Sequence, residues 1–207
     1  MKITKLVHSC LLVEAPGRNA LFDPGVYSTV DLNTLPKLDD IIITHVHADH
    51  FNVDLVEQLA ALYPRARITT TPEIIEQLHA KNVAATGVAS DGLELFLAPH
   101  EGREPFLAPP QNIGVHYLGA LSHPGDSHSF STTKPVLALP VQAPWGSTQR
   151  AFDLAVELKP KYVVPIHDWH WRDEARTGLY NMLEQLFAAE GITFIKAVNG
   201  EPFELDV

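Results

Sequence analysis

Ile41-Ile42-Ile43-Thr44-His45-Val46-His47-Ala48-Asp49-His50 constrains this chain more than any other segment. Three consecutive β-branched apolar residues suit a strand buried on both faces, the kind found inside α/β sheets. Four candidate metal ligands follow at once. In extended backbone, residues i and i+2 point the same way, so His45 and His47 can grip one cation together. Asp49 and His50 come where the chain turns toward a helix, where they can face a second cation. A lone histidine at a strand end is usually a satisfied polar residue. Burying three imidazoles and a carboxylate without a cation is different, because each unpartnered group costs about 1–3 kcal/mol. The cluster therefore reads as a metal site.

The flanking sequence alternates strands and helices. Lys2 to Val7, Cys10 to Glu14 and Ala20 to Asp23 read as short strands of an antiparallel opening, punctuated by Pro16-Gly17 and Pro24-Gly25. Asn52 caps a helix expected from Val53 to Leu62 and stopped by Pro64. A strand near Arg67 to Thr70 leads to Thr71 as N-cap and Pro72 at the first position of a helix reaching Lys81. Strands are expected at Leu93 to Ala98 and Ile113 to Leu118, with the Pro/Gly-rich loop Pro99 to Gln111 between them, and such loops often wall active sites. Val136 to Val141 and Tyr162 to Ile166 read as buried strands around a helix from Ser147 to Leu158. A last helix from Arg176 to Glu190 ends at Gly191, with short strands near Thr193 to Ile195 and Phe203 to Leu205. Two sheets covered outside by helices is the economical packing for this order.

With 207 residues and 45% hydrophobic content, the chain is expected to form one domain over 1–207. Its 15 basic and 25 acidic residues give a net charge of −10, unsuited to sequence-blind binding of phosphate backbones or anionic membranes. The single cysteine, Cys10, excludes an internal disulfide and a thiolate-rich zinc finger, and suits a reducing cytoplasm. His8, Ser9 and Glu14 interrupt the N-terminal apolar stretch, so no signal peptide is expected, and no apolar run approaches the ~20 residues of a membrane span. Histidine, with 11 copies, is the anomaly.

Three further ligand candidates stand at strand ends, where α/β proteins assemble sites: His100 after Leu95-Phe96-Leu97-Ala98-Pro99, Asp126 in His123-Pro124-Gly125-Asp126-Ser127, and His167 after Val163-Val164-Pro165-Ile166. His123 is the rival of His100. Imidazoles and carboxylates without thiolates suit two divalent cations, Zn²⁺ first, with Mn²⁺ or Fe²⁺ as substitutes, and disfavour a closed structural zinc site. Open coordination positions imply catalysis.

On these residues the chain resembles the metallo-β-lactamase-fold hydrolase superfamily. HxHxDH at 45–50 is the most specific motif, joined by Phe22-Asp23-Pro24-Gly25, HPGDS at 123–127 and VVPIHDW at 163–169. The compact layout is similar to the bacterial branch that contains ascorbate-phosphate lactonases. The resemblance implies an α/β fold, a four-layer αββα sandwich with the site at one edge. It also implies that His45, His47 and His100 hold one metal and Asp49, His50 and His167 the other, with Asp126 bridging.

Two cations about 3.5–4 Å apart can share a water and hold it as a bridging hydroxide near neutral pH. The expected activity is hydrolysis of a small ester, lactone or phosphoester, with Asp49 orienting the nucleophile. His123, ahead of His128 and His170, is expected to protonate the leaving group. Asp23 is read as a buttress for a ligand histidine or as a turn residue, and His8 as a ligand's neighbour or an ordinary strand residue. His79 and His116 read as structural or exposed. Trp145, Trp169, Trp171, Phe106 and Phe130 could rim the site, cover a subunit interface or cap the core. Arg103, Lys134, Arg150 and Arg172 are the loop charges that could meet a phosphate.

A nuclease or phosphodiesterase acting on RNA or DNA is the first alternative, opposed by the charge and by the lack of a basic arm. A di-iron redox protein is opposed by His47, where such relatives usually carry a glutamate, and by the lack of a flavin domain. A non-catalytic metal-binding protein of the same fold is the third. The expected partner is a small-molecule substrate, with neither nucleic acid nor membrane, and assembly as a homo-oligomer stays open.

Overall fold

The computed structural model describes residues 1–102 and 108–207. The first half forms strands β1 (Lys2–Lys5), β2 (Leu11–Ala15), β3 (Arg18–Phe22), β4 (Asp40–Ile42) and β5 (Arg67–Thr69), with helices α1 (Val53–Leu62) and α2 (Pro72–Ala80). The second half forms β6 (Leu93–Phe96), β7 (Gly114–Tyr117), β8 (Leu121–His123), β9 (Val136–Pro140), α3 (Thr148–Leu158), β10 (Tyr162–Ile166), α4 (Asp173–Ala189), β11 (Thr193–Phe194) and β12 (Pro202–Glu204).

Two six-stranded mixed sheets result, ordered β12-β1-β2-β3-β4-β5 and β11-β10-β9-β8-β7-β6. Strand alternation sorts their side chains into layers. Ile3, Leu11, Phe22 and Ile42 from the first sheet meet Val115, Val136, Ala138 and Ile166 from the second in the central core. Leu12, Leu21, Ile41 and Ile43 face the other way, onto Val56 and Leu59 of α1 and Ile74 and Leu78 of α2. Leu137, Leu139 and Val163 likewise face Ala151 and Ala155 of α3 and Tyr180, Leu183 and Phe187 of α4. Helices therefore cover both outer faces, which gives the four-layer αββα sandwich.

Local signals set most of the boundaries. Asn52 accepts from the Leu55 amide at 3.2 Å and Ser147 from the Arg150 amide at 3.2 Å, so both side chains cap their helices. Thr71 occupies the N-cap of α2 without a side-chain cap bond. Helix α4 begins at Asp173, three residues before the sequence reading, because Asp173 and Glu174 suit the positive end of a helix. Strand β8 was not expected. Its Ser122 and His123 are polar yet buried, and Ser122 Oγ meets His116 Nδ1 at 2.8 Å while accepting from the Lys134 amide at 2.7 Å.

The sheet pattern collects the candidate ligands. β3, β4 and β5 are parallel, and β1, antiparallel to β2 as β2 is to β3, runs in their direction. In the second sheet β8, β9 and β10 are parallel, and β6 shares their direction through β7. His8, Asp23, His45–His50, His100, Asp126 and His167 all follow the C-terminal ends of these like-directed strands. Ligand crevices form outside such ends.

Candidate metal centre

Two groups of four side chains converge there. His45, His47, His100 and Asp126 each offer one ligand atom within 4.8 Å of the others, and so do His8, Asp49, His50 and His167. Asp126 lies between the groups. Its Oδ1 is 3.0 Å from His50 Nε2, and its Oδ2 is 3.2 Å from His167 Nε2, 3.5 Å from His100 Nε2 and 3.7 Å from His45 Nε2. Trp145 Nε1 donates to the same Oδ2 at 3.2 Å. Asp49 Oδ2 is 3.1 Å from His8 Nε2, 3.7 Å from His167 Nε2 and 3.9 Å from His50 Nε2.

The far nitrogens of four histidines face oxygen acceptors. His50 Nδ1 is 2.7 Å from Asp23 Oδ2, His167 Nδ1 2.6 Å from the Gln142 carbonyl, and His100 Nδ1 2.5 Å from the Glu101 carbonyl. His45 Nδ1 meets Thr44 Oγ1 at 3.1 Å, and that hydroxyl donates in turn to Asp23 Oδ2 at 2.8 Å. A neutral imidazole carries one proton, so a proton on Nδ1 leaves Nε2 bare toward the centre. Such outer acceptors orient ligand histidines and raise their basicity. Asp23 is the hub, since its Oδ1 also accepts from the Thr44 amide at 2.8 Å.

Buried atoms without hydrogen-bond partners include His45 Nε2, His50 Nε2, His167 Nε2 and Asp126 Oδ1. The His50–Asp126 approach at 3.0 Å lacks the angle of a hydrogen bond. Converging bare nitrogens and an unpartnered carboxylate oxygen fit divalent cations chemically. Burial would raise the Asp126 carboxyl, but His167, His50 and His45 hold it well below the usual carboxylate range. Asp49 is held down against its own burial by the bond from His8 and the charge of His50. Burial lowers His45 well below the ordinary imidazole value, with His50 adding to it. His50 shows the opposite result, because Asp126 and Asp23 outweigh its burial and push it well up.

Backbone strain marks the same residues. His8, Asp23 and His167 have φ of 55°, 44° and 64°, and the β-branched Val7 reaches 71°. Such conformations persist where surrounding structure enforces them, often at functional sites. Gly25 is required by contact, because a Cβ there would strike the Asp49 carbonyl.

The seven candidates His45, His47, Asp49, His50, His100, Asp126 and His167 are thus brought together, and His100, rather than His123, stands in the first group. His123, expected as the proton donor, is placed apart from both ligand groups. It is fully buried, stacked on Phe22 at 5.3 Å, with Nε2 directed at the Ser9 carbonyl at 3.2 Å and Nδ1 accepting from the Gly125 amide at 3.3 Å. Both of its nitrogens are thus engaged within the protein, which suits a structural role better than proton donation. His128 is also buried and directs Nε2 at the Pro140 carbonyl at 2.8 Å. His170 is exposed, with its ring 6.0 Å from that of His8.

Trp145 lies edge-on to His167 and Trp169 meets His8 through its backbone amide, whereas Phe130 and Trp171 pack against the α3/α4 core. Tyr27, which carried no sequence signal, stacks on Trp169 at 3.9 Å and 2°. Arg103 and Phe106 lie outside the described residues. Lys134 pairs with Glu94 at 3.2 Å and Arg150 with Glu101 at 3.0 Å; Arg172 is exposed at the start of α4. A groove of about 410 Å³ reaches His100 past Thr71, Leu97 and Asn112. A larger one of about 510 Å³, between α4 and 196–199, does not touch the centre.

A family model described as "Beta-lactamase superfamily domain" matches residues 2–167. Protein Rv0786c of Mycobacterium tuberculosis is 30% identical over 197 residues, covering 90% of this chain and 92% of the relative. UPF0173 metal-dependent hydrolase NEQ378 of Nanoarchaeum equitans is 26% identical over 196 residues, covering 83% and 85%. Among solved structures, the metallo hydrolase Igni18 of Ignicoccus hospitalis superposes with a TM-score of 0.72 at 21% identity, covering 99% of both chains. The metallo-beta-lactamase fold protein YhfI of Bacillus subtilis gives 0.69 at 17% identity and 98% of both. At these identities the structures speak for a shared fold.

Proposed function

Because this chain belongs to the β-lactamase superfamily domain family, we propose that it is a dinuclear metal-dependent hydrolase cleaving a small ester or lactone. The observation that carries the reading is the position of Asp126, whose carboxylate touches histidines of both ligand groups. His45, His47 and His100 would hold one cation and Asp49, His50 and His167 the other, with Asp126 shared. The nitrogen and oxygen donor set favours Zn²⁺, with Mn²⁺ or Fe²⁺ as substitutes. Such cations polarise a carbonyl or phosphoryl oxygen and acidify a shared water.

The chain's own groups prepare that chemistry. Asp23, Thr44, Glu101 and Gln142 fix the ligand tautomers, so little reorganisation remains when substrate arrives. Trp145 holds Asp126 through its Nε1–H, while the Tyr27–Trp169 stack beside His8 offers an apolar edge for substrate. Among the described residues Lys134 and Arg150 are paired with carboxylates and Arg172 alone of the loop charges is unpaired, a setting that suits a carboxyl ester or lactone better than a phosphoester.

The test is a metal-stripped preparation restored separately with zinc, manganese and iron and given aryl esters, lactones and phosphodiesters. Ester or lactone turnover that vanishes on chelation and returns with metal is expected. Turnover confined to phosphodiesters would overturn the substrate class, and metal-independent or absent turnover in every class would overturn the hydrolase reading.

A further inference from the structure

His8 stands at ligand distance in the second group, yet its hydrogen bonds run opposite to those of its neighbours. Its Nδ1 faces the Trp169 backbone amide at 3.4 Å. An amide N–H can only donate, so Nδ1 accepts and the proton of the neutral ring resides on Nε2. Nε2 points at Asp49 Oδ2, 3.1 Å away. By contrast, the Nδ1 atoms of His45, His50, His100 and His167 all face oxygen.

We infer that His8 does not coordinate the second cation but donates from Nε2 to Asp49, fixing that carboxylate toward His50 and His167. The assignment rests on the metal-centre reading above. The turn carrying His8 is built to hold the ring in place. It follows β1 through two residues with positive φ, Val7 and His8, and the His8 carbonyl accepts from the His167 amide at 3.3 Å. The ring is 1% exposed, tilted against His167 at 4.2 Å and edge-on to Tyr27 at 5.5 Å. Asp49 needs such a partner. Its side chain is 22% exposed, and among the described residues no other group hydrogen-bonds it. His8 is therefore a positioning residue acting through Asp49.

The experiment is histidine-nitrogen NMR on the full chain, metal-free and then loaded with an NMR-active cadmium isotope. In the metal-free protein the His8 proton is expected on Nε2. In the loaded protein His45, His47, His50, His100 and His167 are expected to couple to cadmium, and His8 to show no coupling. A His8 proton on Nδ1, or cadmium coupling at His8, would overturn the inference. Absence of coupling at every histidine would instead strike the metal-centre reading, while the metal-free tautomer still decides the donor assignment.

Two variants extend the test. At saturating zinc, His8→Ala is expected to keep the wild-type metal content and to lose about 10–100-fold in kcat with KM little changed. His8→Gln, whose amide can still donate to Asp49, is expected to recover most of that loss. Loss of one metal in His8→Ala, or a His8→Gln as impaired as His8→Ala, would contradict it.

Discussion

Asp23 receives three hydrogen bonds in a pocket where it is itself fully buried, two from Thr44 and one from the His50 ring. Replacing it with asparagine turns one acceptor into a donor facing another N–H. Asp23→Asn is expected to weaken metal binding about 10–100-fold, measured by competition with a chelator, and to cost about 1–3 kcal/mol in urea unfolding. The HxHxDH residues were legible because strand alternation and the following turn dictate where each side chain points. For His123 the sequence is less informative, because spacing gives a side chain's direction but not its depth. His123 has the same nearness in sequence to Asp126 whether it faces solvent or, as here, Phe22 and the Ser9 carbonyl. His123→Gln is accordingly expected to reduce stability more than turnover, with metal content unchanged; a selective loss of kcat at wild-type stability would restore its catalytic role.

At the level of elements, β1 is locked to α4 beside the centre by a buried ionic cluster. Lys5 Nζ donates to Asp168 Oδ1 at 2.7 Å and to Tyr180 Oη at 3.1 Å, while Tyr180 donates to Asp168 Oδ2 at 2.6 Å. Arg176 Nε adds a bond to the same carboxylate at 2.9 Å. Burial lowers Lys5 from its ordinary value, and Asp168 opposes that shift. Asp168→Ala would strand a fully buried ammonium and is expected to cost about 3–5 kcal/mol in chemical denaturation. Lys5→Met is expected to cost less, because Asp168 keeps Arg176 and Tyr180. An equal loss from both would contradict this account of the lock. The sequence announced β1 as a strand but gave no sign that a lysine within it is buried, since its partner lies 163 residues away. Strand β8 was missed for a related reason: it is only three residues long, two of them polar, and it is held by pairing with β7 and β9.

Across the whole molecule, the candidate ligands come from both sheets, with His45–His50 following β4 in one and His100, Asp126 and His167 following β6, β8 and β10 in the other. Cations held there would tie the sheets together at one edge of the central core. Because they bind the folded chain and not the unfolded one, a 100-fold excess over Kd is expected to add about 2.7 kcal/mol per ion. Calorimetry with and without chelator should show the corresponding fall in Tm. The alternation of strands and helices was legible along the chain, and the resemblance implied the sandwich, but the pairing order of the strands depends on long-range contacts that local sequence does not encode. The most direct test of the central claim is elemental analysis of metal per chain in wild type and Asp126→Ala, prepared side by side after gentle reconstitution. A shared carboxylate predicts close to two metals in the wild type and a clear fall in the variant. One metal or none in the wild type, or an unchanged count in the variant, would contradict it.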